Sequence, residues 1–248
     1  MITIDEFISN YDTDTLEMEL TDSYKIFMNK FNITPKELIT FGLEETKFGD
    51  DIKIKEAWEQ LKERIKNPNT SVYIRGYGRD AHGTKLFEQF YINVLETQVK
   101  KDPSNNTEPS KLISDLTGLS KIVPSKKSTK KQIYNYQISH IFGKTKNIYT
   151  FTAPWNIVYM PKILDPFTGH EAKGNVKEAF QEIFQRYCFE KFKSYIEEYN
   201  EIVTNSNFIK RKKTYLDSLD DSEKTIQKFK EIVTKEFSPI EEKELGSY

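Results

Sequence analysis

The stretch Tyr136 to Gly174, YQISHIFGKTKNIYTFTAPWNIVYMPKILDPFTGHEAKG, most narrows the folds open to this chain, because short apolar runs alternate there with turn residues. Tyr134, Tyr136, Ile138 and His140 alternate with polar residues as a strand does, Gly143 to Asn147 supplies a turn, and Trp155 to Met160 forms a second apolar run after Pro154. Pro161, Asp165-Pro166 and Thr168-Gly169 then break the chain before a helical pattern opens near His170 to Asn175. The order is strand, loop, strand, loop, helix. It puts His140, Asn156, Asp165, His170 and Glu171 at the edges of elements, where a small metal site can be built; a loop-rich core gives the same pattern.

The flanks read as helices. Thr34-Pro35-Lys36-Glu37 combines an N-cap, proline at the first helical position and an acid in the first turn. Ile52, Ile54, Ala57, Trp58, Leu61 and Ile65 give one apolar face that ends at Asn67-Pro68, and Val176 to Val203 has the spacing of one long amphipathic helix. Asn207 to Leu219 and Glu223 to Phe237 add two more. The expected class is α+β, predominantly helical, with a small ββα unit embedded among helices. Its expected divisions are a mostly helical 1–99 with a short strand and glycine turn, a Lys-rich linker or mobile loop at 100–132, a ββα core at 133–190, and C-terminal helices at 191–248.

The formal net charge is -1, so no whole-protein field draws nucleic acid or an anionic membrane. The charge is uneven, however: between Val99 and Thr150 ten lysines face three acids, a local excess of +7. That suits a phosphate-bearing partner or a solvated linker equally. A lone cysteine, Cys188, rules out an intramolecular disulfide, and no run reaches the ~20 apolar residues of a membrane span. A soluble, cytoplasmic protein with no membrane partner is the expectation.

Val72-Tyr73-Ile74 reads as a strand leading into Arg75-Gly76-Tyr77-Gly78-Arg79-Asp80-Ala81-His82-Gly83 and a helix from Lys85 to Thr97. Gly76, Gly78 and Ala81 fit G-x-G-x-x-A, but a dinucleotide fold needs a further strand where the polar segment from Lys100 follows. The glycines more simply make a turn that gathers Arg75 and Arg79 on one side, to hold phosphates or to pair with nearby acids.

Ser139-His140-Ile141, Trp155-Asn156-Ile157-Val158 and Gly169-His170-Glu171 together resemble the HNH, or ββα-metal, nucleases. The resemblance implies a DNA endonuclease, of a restriction or defence kind, with His140 as general base and Asn156 as its orienter or a ligand. It further implies that His170, with Asp165 or Glu171, holds one divalent ion, Mg²⁺ or Mn²⁺. Ser139 stands before the base where many members carry an acid. Double-stranded DNA would be contacted through its backbone by Arg75, Arg79, Lys126, Lys127, Lys130, Lys131, Lys144 and Lys146, by a monomer or a homodimer. Glu171-Ala172-Lys173 also offers an E-x-K, though on a helix start and not the strand that site needs. The non-catalytic alternative is a nucleic-acid-binding or protein-interaction module in which the histidines are structural.

Overall fold

The structure, a computed structural model, describes residues 4–8, 22–76, 81–168, 172–220 and 222–242. Helices α1 (Ile4–Ile8), α2 (Ser23–Lys30), α3 (Pro35–Glu45) and α4 (Asp51–Lys66) come first. α3 begins with a reciprocal cap: the Thr34 hydroxyl accepts from the Glu37 N–H at 3.2 Å, and the Glu37 carboxylate accepts from the Thr34 N–H at 2.7 Å. α4 buries Ile54, Trp58, Leu61 and Ile65. Ile52, expected on that face, is 70% exposed, because two residues at about 100° each carry it to the far side from Ile54.

β1 (Val72–Ile74), α5 (Ala81–Leu95) and β2 (Val99–Lys101) follow, and the two strands pair in parallel. A strand therefore does follow α5, where the sequence suggested polar loop. The ladder stays two-stranded, and Glu96, at the ribose-binding position of a dinucleotide fingerprint, is ion-paired with Arg211 at 2.8 Å. Residues 77–80, which include Gly78 and Arg79, lie outside the described residues.

The expected linker at 100–132 is largely structured. It holds α6 (Thr107–Thr117), β3 (Leu119–Ser120) and β4 (Lys131–Gln132), with 121–130 as its irregular part. α6 forms because the fully buried Asp102 carboxylate accepts from the N–H groups of Ser104, Thr107 and Glu108 at 3.1, 2.9 and 2.7 Å, while Ile113 and Leu116 pack inward. That cap lies five residues ahead of the helix, out of reach of a pattern search.

β5 (Tyr136–His140) and β6 (Ile157–Pro161) form an antiparallel hairpin, followed by a 3₁₀ turn (Lys162–Leu164), α7 (Asp165–Thr168) and α8 (Asn175–Lys191). α9 (Lys193–Thr204), α10 (Ser206–Asp217) and α11 (Lys224–Glu236) complete the chain. The helix expected over Val176 to Val203 is thus two helices, broken at Phe192 (φ −113°, ψ 18°). The break lets one apolar stripe serve two neighbours: α8 packs on α3, while Tyr199 of α9 reaches Trp155 with ring centroids 6.0 Å apart. Among the described residues no helix is long and apolar enough to cross a membrane.

Candidate functional site

The hairpin is the floor of the site. β6 (Ile-Val-Tyr-Met-Pro) is buried at all five positions, as β-branched and aromatic residues in a central strand should be. It is central because β5 pairs one edge and the Lys47 backbone pairs the other, with the Lys47 N–H to the Tyr159 carbonyl at 2.9 Å and the return bond at 3.1 Å. The register sets His140, the last residue of β5, opposite Ile157, next to Asn156.

The loop from Ile141 to Asn156 is tied to distant helices. Asn147, fully buried, donates to the Tyr199 hydroxyl at 3.1 Å and the Glu236 carbonyl at 2.8 Å, and its own oxygen accepts from the Tyr149 N–H at 2.9 Å. The Tyr91 hydroxyl donates to the Lys146 carbonyl at 2.6 Å and accepts from the Ile148 N–H at 3.1 Å. Burial raises the Tyr91 phenol well above its ordinary range, so it stays a neutral donor.

The His140 ring stacks on Phe151, with centroids 5.5 Å apart and planes 11° from parallel, and its Nε2 lies 2.9 Å from the Phe151 carbonyl oxygen. A carbonyl can only accept, so Nε2 carries the proton and Nδ1 keeps a lone pair. Loss of water around the ring, reinforced by the Arg75 charge and opposed by the Phe151 hydrogen bond, lowers the His140 pKa to about 4. The imidazole is neutral at ordinary pH. It lines a narrow crevice with Ser139, Thr168, Gln181 and Gln185, and the Gln185 side chain donates to the Ile141 carbonyl at 2.8 Å.

Asn156 adjoins His140 across the hairpin but its side chain serves the loop. Its oxygen accepts from the Phe142 N–H at 2.9 Å, and its amide donates to the Gly143 and Thr150 carbonyls at 3.1 and 3.0 Å. The orienting bond expected from Asn156 comes instead from the Phe151 backbone, which Asn156 positions one residue away. No side chain announces that role, so sequence reasoning had no signal for it. His170 and Glu171 lie outside the described residues. Asp165 opens on a different, larger cleft, and among the described residues no three His, Cys, Asp or Glu side chains gather as metal ligands.

The expected phosphate-binding cations separate. Exposed Arg75 donates its backbone N–H to the Thr145 carbonyl at 2.9 Å, and its charge acts on both His140 and Lys146. Burial lowers the Lys146 amine, against the pull of Glu236. Lys144 is engaged within the protein: its ammonium donates to the Lys235 carbonyl at 2.7 Å and to the carbonyl and hydroxyl of Ser238 at 2.8 and 2.6 Å, closing the C-terminal end of α11. Burial brings its pKa down to about 8. Lys130 is paired with Asp115 at 2.5 Å, while Lys126, Lys127 and Lys131 stand exposed on the α6 side of the hairpin.

Fold and site together define a mostly helical α+β protein built on a two-stranded hairpin, one strand buried and one half-buried, whose long loop is clamped by the C-terminal helices. The chain belongs to the family described as Uncharacterised protein PM1201, which matches residues 50–242 and so contains the hairpin, its loop and the helices that clamp it. It is 42% identical over 186 residues to the uncharacterized protein PM1201 of Pasteurella multocida (strain Pm70), covering 75% of this chain and 81% of that protein. No solved structure matches it.

Proposed function

We propose that this protein is a metal-dependent DNA endonuclease of the HNH type, a cytoplasmic restriction or defence enzyme acting on double-stranded DNA as a monomer or homodimer. The observation that carries the reading is the imidazole of His140: it ends the first strand of a ββα arrangement, and the Phe151 carbonyl fixes its tautomer. With Nε2–H engaged, Nδ1 is the atom that takes the proton from an attacking water. By this reading Arg75, whose charge acts on the ring, meets the phosphate that water attacks. A divalent ion would stabilise the charge on that phosphate and its leaving oxygen. The described residues alone do not form its site; by this reading His170 and Glu171 hold it, while Asp165 lines the other cleft and not the His140 crevice.

One observation favours a non-catalytic binding module: a stacked, hydrogen-bonded His140 is also what a satisfied core histidine looks like. Plasmid nicking with Mg²⁺ or Mn²⁺ separates the two. The nuclease reading expects nicking that His140→Ala reduces by 10²-fold or more while the fold persists. Inactivity of the wild-type chain, or equal activity in the variant, refutes it.

A further inference from the structure

We infer that the cleft between α6 and β5, with the adjoining loop 121–127, is a surface that reads duplex DNA sequence. The inference rests on the DNA-binding part of the reading above and adds a specificity determinant to it. The cleft has a volume of about 830 Å³ and is floored by Tyr136, Gln137 and Ile138 of β5. The same strand ends at His140, three residues after Gln137. At about 3.3 Å per residue the two sites are about 10 Å apart, or roughly three base pairs of duplex.

The chemistry of the walls fits base edges and phosphates. Asn106 and Gln137 line the cleft, and their side-chain amides make no hydrogen bond with any described residue, although Asn106 occupies the N-cap position of α6. Asp102 performs that capping instead, which leaves the Asn106 amide to an outside partner. Amides of this kind offer the donor and acceptor pair that reads adenine in the major groove. Lys121 and Lys162 line the same cleft, against the single acid Asp165 among the residues already named there, and make no ion pair with described residues. Charge complementarity therefore favours a polyanion over a protein partner.

The loop supplies a second, independent feature. Ile122 and Val123 are 75% and 73% exposed, followed by Pro124 and bracketed by Lys121 and Lys126-Lys127. Two aliphatic side chains held in water between cations are poorly suited to free solvent. They are well suited to a thymine methyl or to wedging a base step while the lysines hold the flanking phosphates.

The test uses the full wild-type chain in chelator, so that binding is scored without cleavage, on a duplex library with a randomised centre and unrelated DNA as competitor. The expected result is enrichment of a short motif. Asn106→Ala/Gln137→Ala/Lys162→Ala should lose about tenfold of that preference with an unchanged circular dichroism spectrum. Ile122→Ser/Val123→Ser, which alters only exposed side chains, should weaken binding to the motif as well. Absence of any motif, or undiminished enrichment of and affinity for the motif in both variants, overturns the inference. Nicking assays are scored separately: selective binding without cleavage refutes the nuclease and keeps the reading surface, and indiscriminate cleavage does the reverse.

Discussion

His140 Nε2 and the Phe151 carbonyl oxygen are 2.9 Å apart across eleven residues of loop, so the imidazole is held from behind by backbone while Phe151 covers its face. The folded ring resists protonation, with a pKa lowered to about 4. The unfolded chain, whose histidine titrates near 6.5, takes up the proton first as pH falls. The neutral-ring stability is therefore fully present above about pH 6.5 and is lost progressively down to about pH 4. Melting temperatures followed from pH 7 to pH 4 in chelator should fall more steeply for the wild-type chain than for His140→Gln. Parallel curves would show that the ring does not titrate in this window.

Asn156→Ala leaves the partly buried Phe142 N–H and Gly143 carbonyl without their side-chain partner, while the buried Thr150 carbonyl keeps the Ala153 N–H at 3.3 Å. At about 1–3 kcal/mol for each buried group left unpaired, a loss of at least about 2 kcal/mol is expected in urea unfolding. Asn156→Asp should fare no better, since a carboxylate cannot donate to the two carbonyls. A variant that unfolded like the wild type would show that the loop holds without Asn156.

Lys144→Met keeps the aliphatic stem and removes the ammonium that closes α11 on Lys235 and Ser238. The expected cost is about 1–3 kcal/mol of stability. The salt dependence of DNA binding should stay the same, because a lysine engaged with helix carbonyls releases no counterion from a phosphate. A slope reduced by about one would put Lys144 on the nucleic acid after all.

Trp58 and Trp155 meet edge to face, with centroids 5.7 Å apart, yet their indole N–H groups differ. Trp58 donates to the Glu198 carboxylate at 2.9 Å, whereas the buried Trp155 Nε1 has no partner among the described residues. Trp155→Phe removes an unpaired donor along with some volume, and the two effects offset to within about 1 kcal/mol. Trp58→Phe removes a bond and should cost more. Urea midpoints for the two variants check the order, and a reversed order would mean that the Trp155 N–H is in fact satisfied.

How far the sequence could be read depended on where the responsible partner lay. The Thr34–Glu37 cap and the α4 face are local patterns, and both formed, apart from Ile52. The hairpin was visible because its strands carry alternating and continuous apolar residues that a helix would not. Asp102 was missed because it caps α6 from five residues upstream, and the break at Phe192 because both halves of the stripe keep a helical period. At the site, the strand end that places His140 was legible. The Phe151 carbonyl was not, since a backbone atom has no residue signature. Lys144 read as a phosphate ligand because its partners, Lys235 and Ser238, are some ninety residues away in sequence.

The clamped loop also bears on how portable the unit is. Residues 136–191 have the strand and helix content of a free-standing ββα module. Yet the loop that packs against His140 is fastened to Tyr91, Tyr199, Glu236 and Ser238. Cut out of its surroundings, the hairpin would lose the partners that hold the loop around His140. A graft of the short motif alone would transfer residues without the helices that arrange them.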